Sequence, residues 1–116
     1  MQITRLADAP AYIAPKHNDM RSLRLQGLEA SGADFGWVGL SYFLPGGGAE
    51  MDAGALGKVY VMIDGEVTIL LGNGERQILH RLDSCFIPAG EARAVRNDSN
   101  TVATMLVVMP TPGHAV

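Results

Sequence analysis

Three histidines, three tyrosines and one cysteine carry most of the proton-transfer and nucleophilic chemistry open to this 116-residue chain. His80 stands in an alternating stretch, where an imidazole can act as general base near neutral pH or simply hydrogen-bond at a surface. Lys16 and His17 lie on an N-terminal segment able to fold over the mouth of a domain, while His114 falls in the C-terminal tail. Tyr42 and Tyr60 bring phenols that can donate a proton or orient a carbonyl group. With Trp37 they can line an apolar pocket, or pack an ordinary core. Cys85, flanked by Ser84 and Phe86, has no accompanying Cys–His pattern and reads as core filling. Gly46-Gly47-Gly48 lacks the lysine and the helix of a phosphate loop, so it reads as a turn.

Strands must position these groups. Pro10 and Pro15 break up residues 1–20, which predicts an extended arm. Ser22-Leu23-Arg24-Leu25-Gln26 alternates polar and apolar residues, the period of a strand with one wet face. Phe35 to Leu44 is a second strand, which Pro45-Gly46-Gly47-Gly48 should end. Lys58 to Ile63 is a β-branched and aromatic run, and Asp64-Gly65 predicts a tight hairpin to a partner strand from Glu66 to Leu71. Further strands follow at Glu75–Leu82, Cys85–Ile87, Ala92–Val95 and Thr101–Met109, separated by Gly, Pro and Asn turns. Eight or nine short strands without helical periodicity predict an all-β sandwich or barrel.

Composition agrees. Fourteen glycines and six prolines accompany 47% hydrophobic and only 18% charged residues. That balance is the reverse of a disordered chain and unlike a coiled coil. A net charge of −3 offers no general attraction to nucleic acid or to an anionic membrane, so neither is expected as a partner. Arg21, Arg24, Lys16 and His17 are the nearest approach to a basic patch. No stretch has the length of a membrane span or of a signal-peptide core. A single cysteine forbids an internal disulfide, which suits the cytoplasm. The length of apolar alternation leaves a sheet face needing cover, and a homodimer through that face is the expectation.

Two segments resemble the cupin superfamily, small jelly-roll β-barrels. Residues 45–66, from Pro45-Gly46-Gly47-Gly48 to Asp64-Gly65-Glu66, are similar to the family's first motif of a glycine, His-x-His, a Glu or His, and a closing glycine. Phe86-Ile87-Pro88-Ala89-Gly90-Glu91-Ala92-Arg93-Ala94-Val95-Arg96-Asn97 is similar to its second, Pro-x-Gly, His, Asn; Pro88, Gly90 and Asn97 keep the spacing. The resemblance covers roughly residues 35–109 and implies a double-stranded β-helix; the barrel domain is expected over residues 21–110, with an arm at 1–20 and a tail at 111–116. It also implies a metal site whose histidines are missing here. Asp52 and Gly54 fall on the paired-histidine positions, Lys58 on the third ligand and Arg93 on the last histidine. Lysine and arginine are ordinarily protonated and do not bind divalent metal, so no metal and no cofactor are expected.

Strand alternation in such a barrel turns Lys58, Tyr60 and Met62 inward with Arg93. Lys58, Arg93, Trp37 and Tyr42 are then candidate binding residues for a small anion, the arginine gripping a carboxylate or phosphate in bidentate fashion. Asp52, Tyr60 and His80 are candidate catalytic residues for metal-independent proton transfer, of isomerase, epimerase, cyclase or lyase type. Two other readings stand beside this one. The barrel can bind or sense a small ligand without turnover, or Lys58, Arg93 and Asp52 can pair and fill the vacated site in a purely structural protein.

Overall fold

The structure, a computed structural model, describes residues 1–112. His114 and most of the expected tail lie outside them. After a 3₁₀ turn at Leu6–Asp8, nine strands follow: β1 (Ala11–Tyr12), β2 (His17–Gln26), β3 (Gly36–Ala53), β4 (Lys58–Asp64), β5 (Val67–Leu71), β6 (Arg76–Leu79), β7 (Ser84–Ile87), β8 (Ala92–Arg96) and β9 (Ala103–Pro110). They pair antiparallel in the order β6-β5-β8-β3-β9-β4-β7, with β2 also on β3 and β1 on β2. The result is the expected all-β jelly-roll barrel. No helix among the described residues is long and apolar enough to cross a membrane.

Two local expectations are corrected. Pro45-Gly46-Gly47-Gly48 does not end a strand, because β3 runs through it for 18 residues. Its first half pairs with β9, from Gly36↔Pro110 to Phe43↔Ala103, and its second half with β8, from Gly48↔Arg96 to Ala53↔Ala92. The glycines form the corner where β3 passes from one sheet to the other. Gly46 takes a left-handed φ of 83°. A Cβ on Gly47 would run into the Asp19 carbonyl oxygen, and one on Gly48 into that of Val95. Only glycine lets three backbones approach this closely.

The second correction concerns Asp64-Gly65, which turns the chain but joins no hairpin. β4 pairs with β7 and β9, whereas β5 pairs with β6 and β8. Gly65 (φ 73°) packs so close to Val102 and Ala103 that the chain leaves β4 for the opposite sheet. Crossovers of this kind close a jelly roll, and local turn chemistry cannot tell them from hairpins. The Gly72-Asn73-Gly74 turn does join a true hairpin, with Val67↔Leu79 and Leu70↔Arg76 in register.

Phe43, Met62, Met105, Val67 and Val95 are fully buried between the sheets. Each contributes roughly 1.5–3 kcal/mol of hydrophobic stabilisation. Asn97, the asparagine of the second motif, is completely buried, and its Nδ2 donates to the carbonyls of Phe43 (2.9 Å) and Thr101 (2.8 Å). Its Oδ1 accepts from the backbone N–H and the hydroxyl of Ser99. That residue staples the turn before β9 to β3, a structural reason for its place in the motif.

Candidate functional site

β2 holds the first departure from simple alternation. Its polar face, Ser22 and Arg24, is the inner one, and its apolar Leu23 points outward opposite Leu40. Arg24 is buried, with its guanidinium 3.7 Å from the Tyr12 ring centroid and 4.3 Å from that of Trp37. Its Nε donates to Glu29 at 2.8 Å. Trp37 and Tyr12 meet edge to face at 5.9 Å. Gly39 leaves room for the tyrosine, whose hydroxyl a Cβ there would strike. The nearest approach to a basic patch is therefore divided: Arg21 is exposed and Arg24 is a wall residue of a cavity.

That cavity, about 300 Å³, lies inside the barrel and falls in the lower range for small-molecule sites. Phe43, Val95, Met105 and Val107 supply apolar walls, and Tyr12 to Pro15 of the N-terminal segment contribute to its edge. Its polar groups are Arg24, Ser41, Lys58, Tyr60, Arg93 and His17. Lys58, Tyr60 and Arg93 are 8%, 3% and 7% exposed. The Nε of Arg93 donates to Tyr60 Oη at 2.7 Å, and its Nη1 donates to the Glu50 carbonyl at 3.1 Å. Among the described residues no aspartate or glutamate lines the cavity. Lys58 and Arg93 make no ion pair among the described residues. Burial, reinforced by Arg93, lowers the Lys58 pKa from its ordinary value, while Asp52 opposes the shift. Burial likewise pushes the Tyr60 phenol up, against the pull of Arg93.

Sequence-derived candidates divide between the cavity and its surroundings. Lys58, Tyr60, Arg93 and Trp37 come together there. Asp52 stands outside, exposed, with Oδ1 3.3 Å from Lys16 Nζ, and this pairing holds its carboxyl below the ordinary range. His80 is exposed beyond the cavity, its Nε2 3.3 Å from Glu66. Tyr42 points to the outer face beside Arg21 and Thr104. Cys85 is half-buried and packs against the core, and burial raises its thiol pKa.

His17 is the functional candidate that reading by strand left on the arm. It opens β2 opposite Ala49, and it lines the cavity. Its Nδ1 lies 2.6 Å from the Pro15 carbonyl oxygen. The only signal in the sequence was its place next to Lys16 before an alternating run. Burial, then Arg93 and Lys58, lowers its pKa, with the Pro15 bond opposing. Unfolded chains therefore bind the proton more tightly. The stability that His17 contributes is present above its unfolded pKa and lost as pH falls through the lower folded value. We expect wild-type protein to lose more urea stability than His17→Gln between pH 7.5 and pH 5; equal losses would show that His17 is not desolvated.

A divalent metal does not suit this site. Among the described residues no three His, Cys, Asp or Glu side chains gather as ligands. In the cavity only His17 has a good donor, and two cations face it.

A jelly roll closed around an interior cavity by these glycine and proline turns has the architecture of a single-domain cupin. The model of the cupin domain matches residues 39–109, and the chain belongs to that superfamily. It is 39% identical over 112 residues to a beta-D-galactosidase of Mycobacterium tuberculosis (Rv1717), covering 97% of this chain and 96% of that one. Its fold matches the polyketide cyclase RemF from Streptomyces resistomycificus, with TM-score 0.84, 20% identity, and 95% and 79% of the two chains covered. It also matches an RmlC-like cupin from Shewanella frigidimarina, with TM-score 0.78, 12% identity, and 98% and 94% covered.

Proposed function

We propose that the barrel binds a small anionic metabolite bearing a carbonyl group and turns it over by metal-independent proton transfer, of isomerase, epimerase, cyclase or lyase type. The observation that carries this reading is the pair of buried cations, Lys58 and Arg93, in a cavity that no carboxylate of the described residues lines. Leaving such charges unpaired is costly, and a bound carboxylate or phosphate offsets that cost. A purely structural role required Asp52 to neutralise them, but Asp52 pairs with Lys16 and space remains inside. Calorimetry with small carboxylates and phosphates tests the reading, and absence of binding by the whole set would end it.

The Mycobacterium tuberculosis relative supports a second reading, hydrolysis of a galactoside. Most glycosidases need two carboxyl groups flanking the scissile bond. Here Asp52 and Glu50 would have to act from beside the cavity. Release of nitrophenol from 4-nitrophenyl β-D-galactoside by wild type, lost in Glu50→Gln or Asp52→Asn, would favour this reading over the first.

We also propose a cytoplasmic homodimer through the outer face of β3, β9, β4 and β7. Val38, Val59, Val61, Leu106 and Val108 form an apolar surface there, and Phe35 and Phe86 remain 69% and 66% exposed. A groove of about 550 Å³ runs along it. Monomers rarely leave such a face to water. Light scattering should give twice the 12.3 kDa chain mass, and Phe86→Glu with Val108→Glu should return it to one. A monomeric wild type would refute the dimer.

A further inference from the structure

We propose that His17 is the catalytic base of this cavity and Tyr60 its proton donor; this rests on the reading that a carbonyl-bearing anion is held by Lys58 and Arg93. A carbonyl oxygen can only accept a hydrogen bond, so the 2.6 Å contact with Pro15 requires the proton of a neutral His17 to sit on Nδ1. Nε2 is then a lone-pair nitrogen, without a protein partner among the described residues, on an imidazole that lines the cavity.

Backbone conformation around it is unusual. Lys16 (φ 59°) and Asp19 (φ 49°) are both left-handed non-glycine residues, and β2 shifts register between Asn18 and Met20. Such strain persists only where surrounding structure imposes it. Here the glycine corner of β3 does so, with Gly47 and Gly48 lying directly under Asn18 and Asp19. The charged groups facing His17 are Lys58 of β4 and Arg93 of β8, with the Lys16–Asp52 pair alongside. With burial they favour the neutral imidazole, and their charge would hold an anion within its reach.

Tyr60 completes the pair. Its oxygen accepts from Arg93 Nε, which leaves its own proton free to turn to a ligand carbonyl, and the same bond stabilises a transient phenolate. In the step, Nε2 takes a proton from the carbon next to the carbonyl. The C–H electron pair becomes a C=C bond, and the carbonyl π pair takes the Tyr60 proton to give an enol. Return of a proton from the imidazolium to the same carbon, with the enol proton returning to Tyr60, gives hydrogen exchange. For an enediol, return to the adjacent carbon, with its neighbouring hydroxyl proton passing to Tyr60, isomerises an α-hydroxycarbonyl compound. Neither route needs an oxidant or a reductant.

The test uses fructose 6-phosphate and 2-oxobutanoate as probes, with binding followed by calorimetry and deuterium uptake from heavy water by proton NMR. His17→Asn keeps an N–H for Pro15 but has no basic nitrogen. We expect it to bind either probe within about threefold of wild type and to exchange it at least 100-fold more slowly. The wild-type rate should climb with pH through the His17 titration, a limb that His17→Asn lacks. Tyr60→Phe should slow exchange at least tenfold. Exchange by His17→Asn at the wild-type rate would overturn the proposal, as would binding without exchange by wild type, which would leave the anion-binding reading intact. Failure of wild type to bind either probe would overturn the proposal, and the anion-binding reading falls with it only when the whole set of carboxylates and phosphates fails to bind.

Discussion

Arg93→Met lowers affinity for the best-bound small carboxylate or phosphate by roughly 30- to 150-fold, the equivalent of about 2–3 kcal/mol for charge-assisted hydrogen bonds. The expected size follows from position. The side chain is almost wholly buried, and Tyr60 and the Glu50 carbonyl hold it from two sides, so its fork is aligned before a ligand arrives. Among the described residues no other strand supplies a guanidinium free of a carboxylate partner inside the cavity, because Arg24 is already engaged by Glu29. Arg93→Lys should recover only part of the loss, since an ammonium keeps the charge without the planar pair of donors. Asp52→Asn should change affinity little, because Asp52 is exposed and engaged by Lys16. Calorimetry on folded variants decides this. Unchanged affinity in Arg93→Met would remove the arginine from the site and with it the principal support for an anionic ligand.

Gly48→Ala has the largest expected effect on stability. A single methyl group there meets the Val95 carbonyl oxygen, a backbone atom that can move only by breaking the β3–β8 ladder. Overpacking of this kind costs about 3 kcal/mol or more. For a domain of this size the melting temperature should fall by about 10–20 °C. Gly54→Ala is the matched comparison. Its added methyl faces the flexible end of Lys58, at 3.0 Å from Nζ, and should shift the melting temperature by only a few degrees. Similar melting temperatures for wild type and Gly48→Ala would mean that the three-strand junction is less tight than described. The junction matters beyond stability, because Gly48 pairs with Asn18, the neighbour of His17, and with Arg96 on the strand that carries Arg93. Loss of this corner would separate the proposed base from the anion-holding residue.

Much of this architecture was legible in the chain itself. Lys58, Tyr60 and Met62 share one face by strand alternation, and the structure buries all three. Pro88, Gly90 and Asn97 marked the second motif, whose asparagine is a buried staple. Asp64-Gly65 and Gly46-Gly47-Gly48 misled because turn residues report local backbone angles, and those angles do not say which strand is met next. His80 and His17 divided for a similar reason. Both stand near alternating stretches, but burial depends on which strands close over each, and only His17 is overlain by the barrel.

Residue types and spacing alone predicted an all-β sandwich or barrel, and the resemblance of two segments to the cupin motifs placed Asp52, Gly54, Lys58 and Arg93 where that family's metal-binding histidines stand. Period-two alternation and glycine turns are properties of a few neighbouring residues, so they survive in the linear order. Which other groups join Lys58, Tyr60 and Arg93 in the cavity was decided only in three dimensions. The Lys16–Asp52 pair spans 36 residues and the Arg93–Tyr60 bond 33, and the turn that aims His17 inward is held by strands far along the chain. Charge compensation acts through space: Asp52, which one reading paired with Lys58 and Arg93, is bound to Lys16, and the two cations face an open cavity.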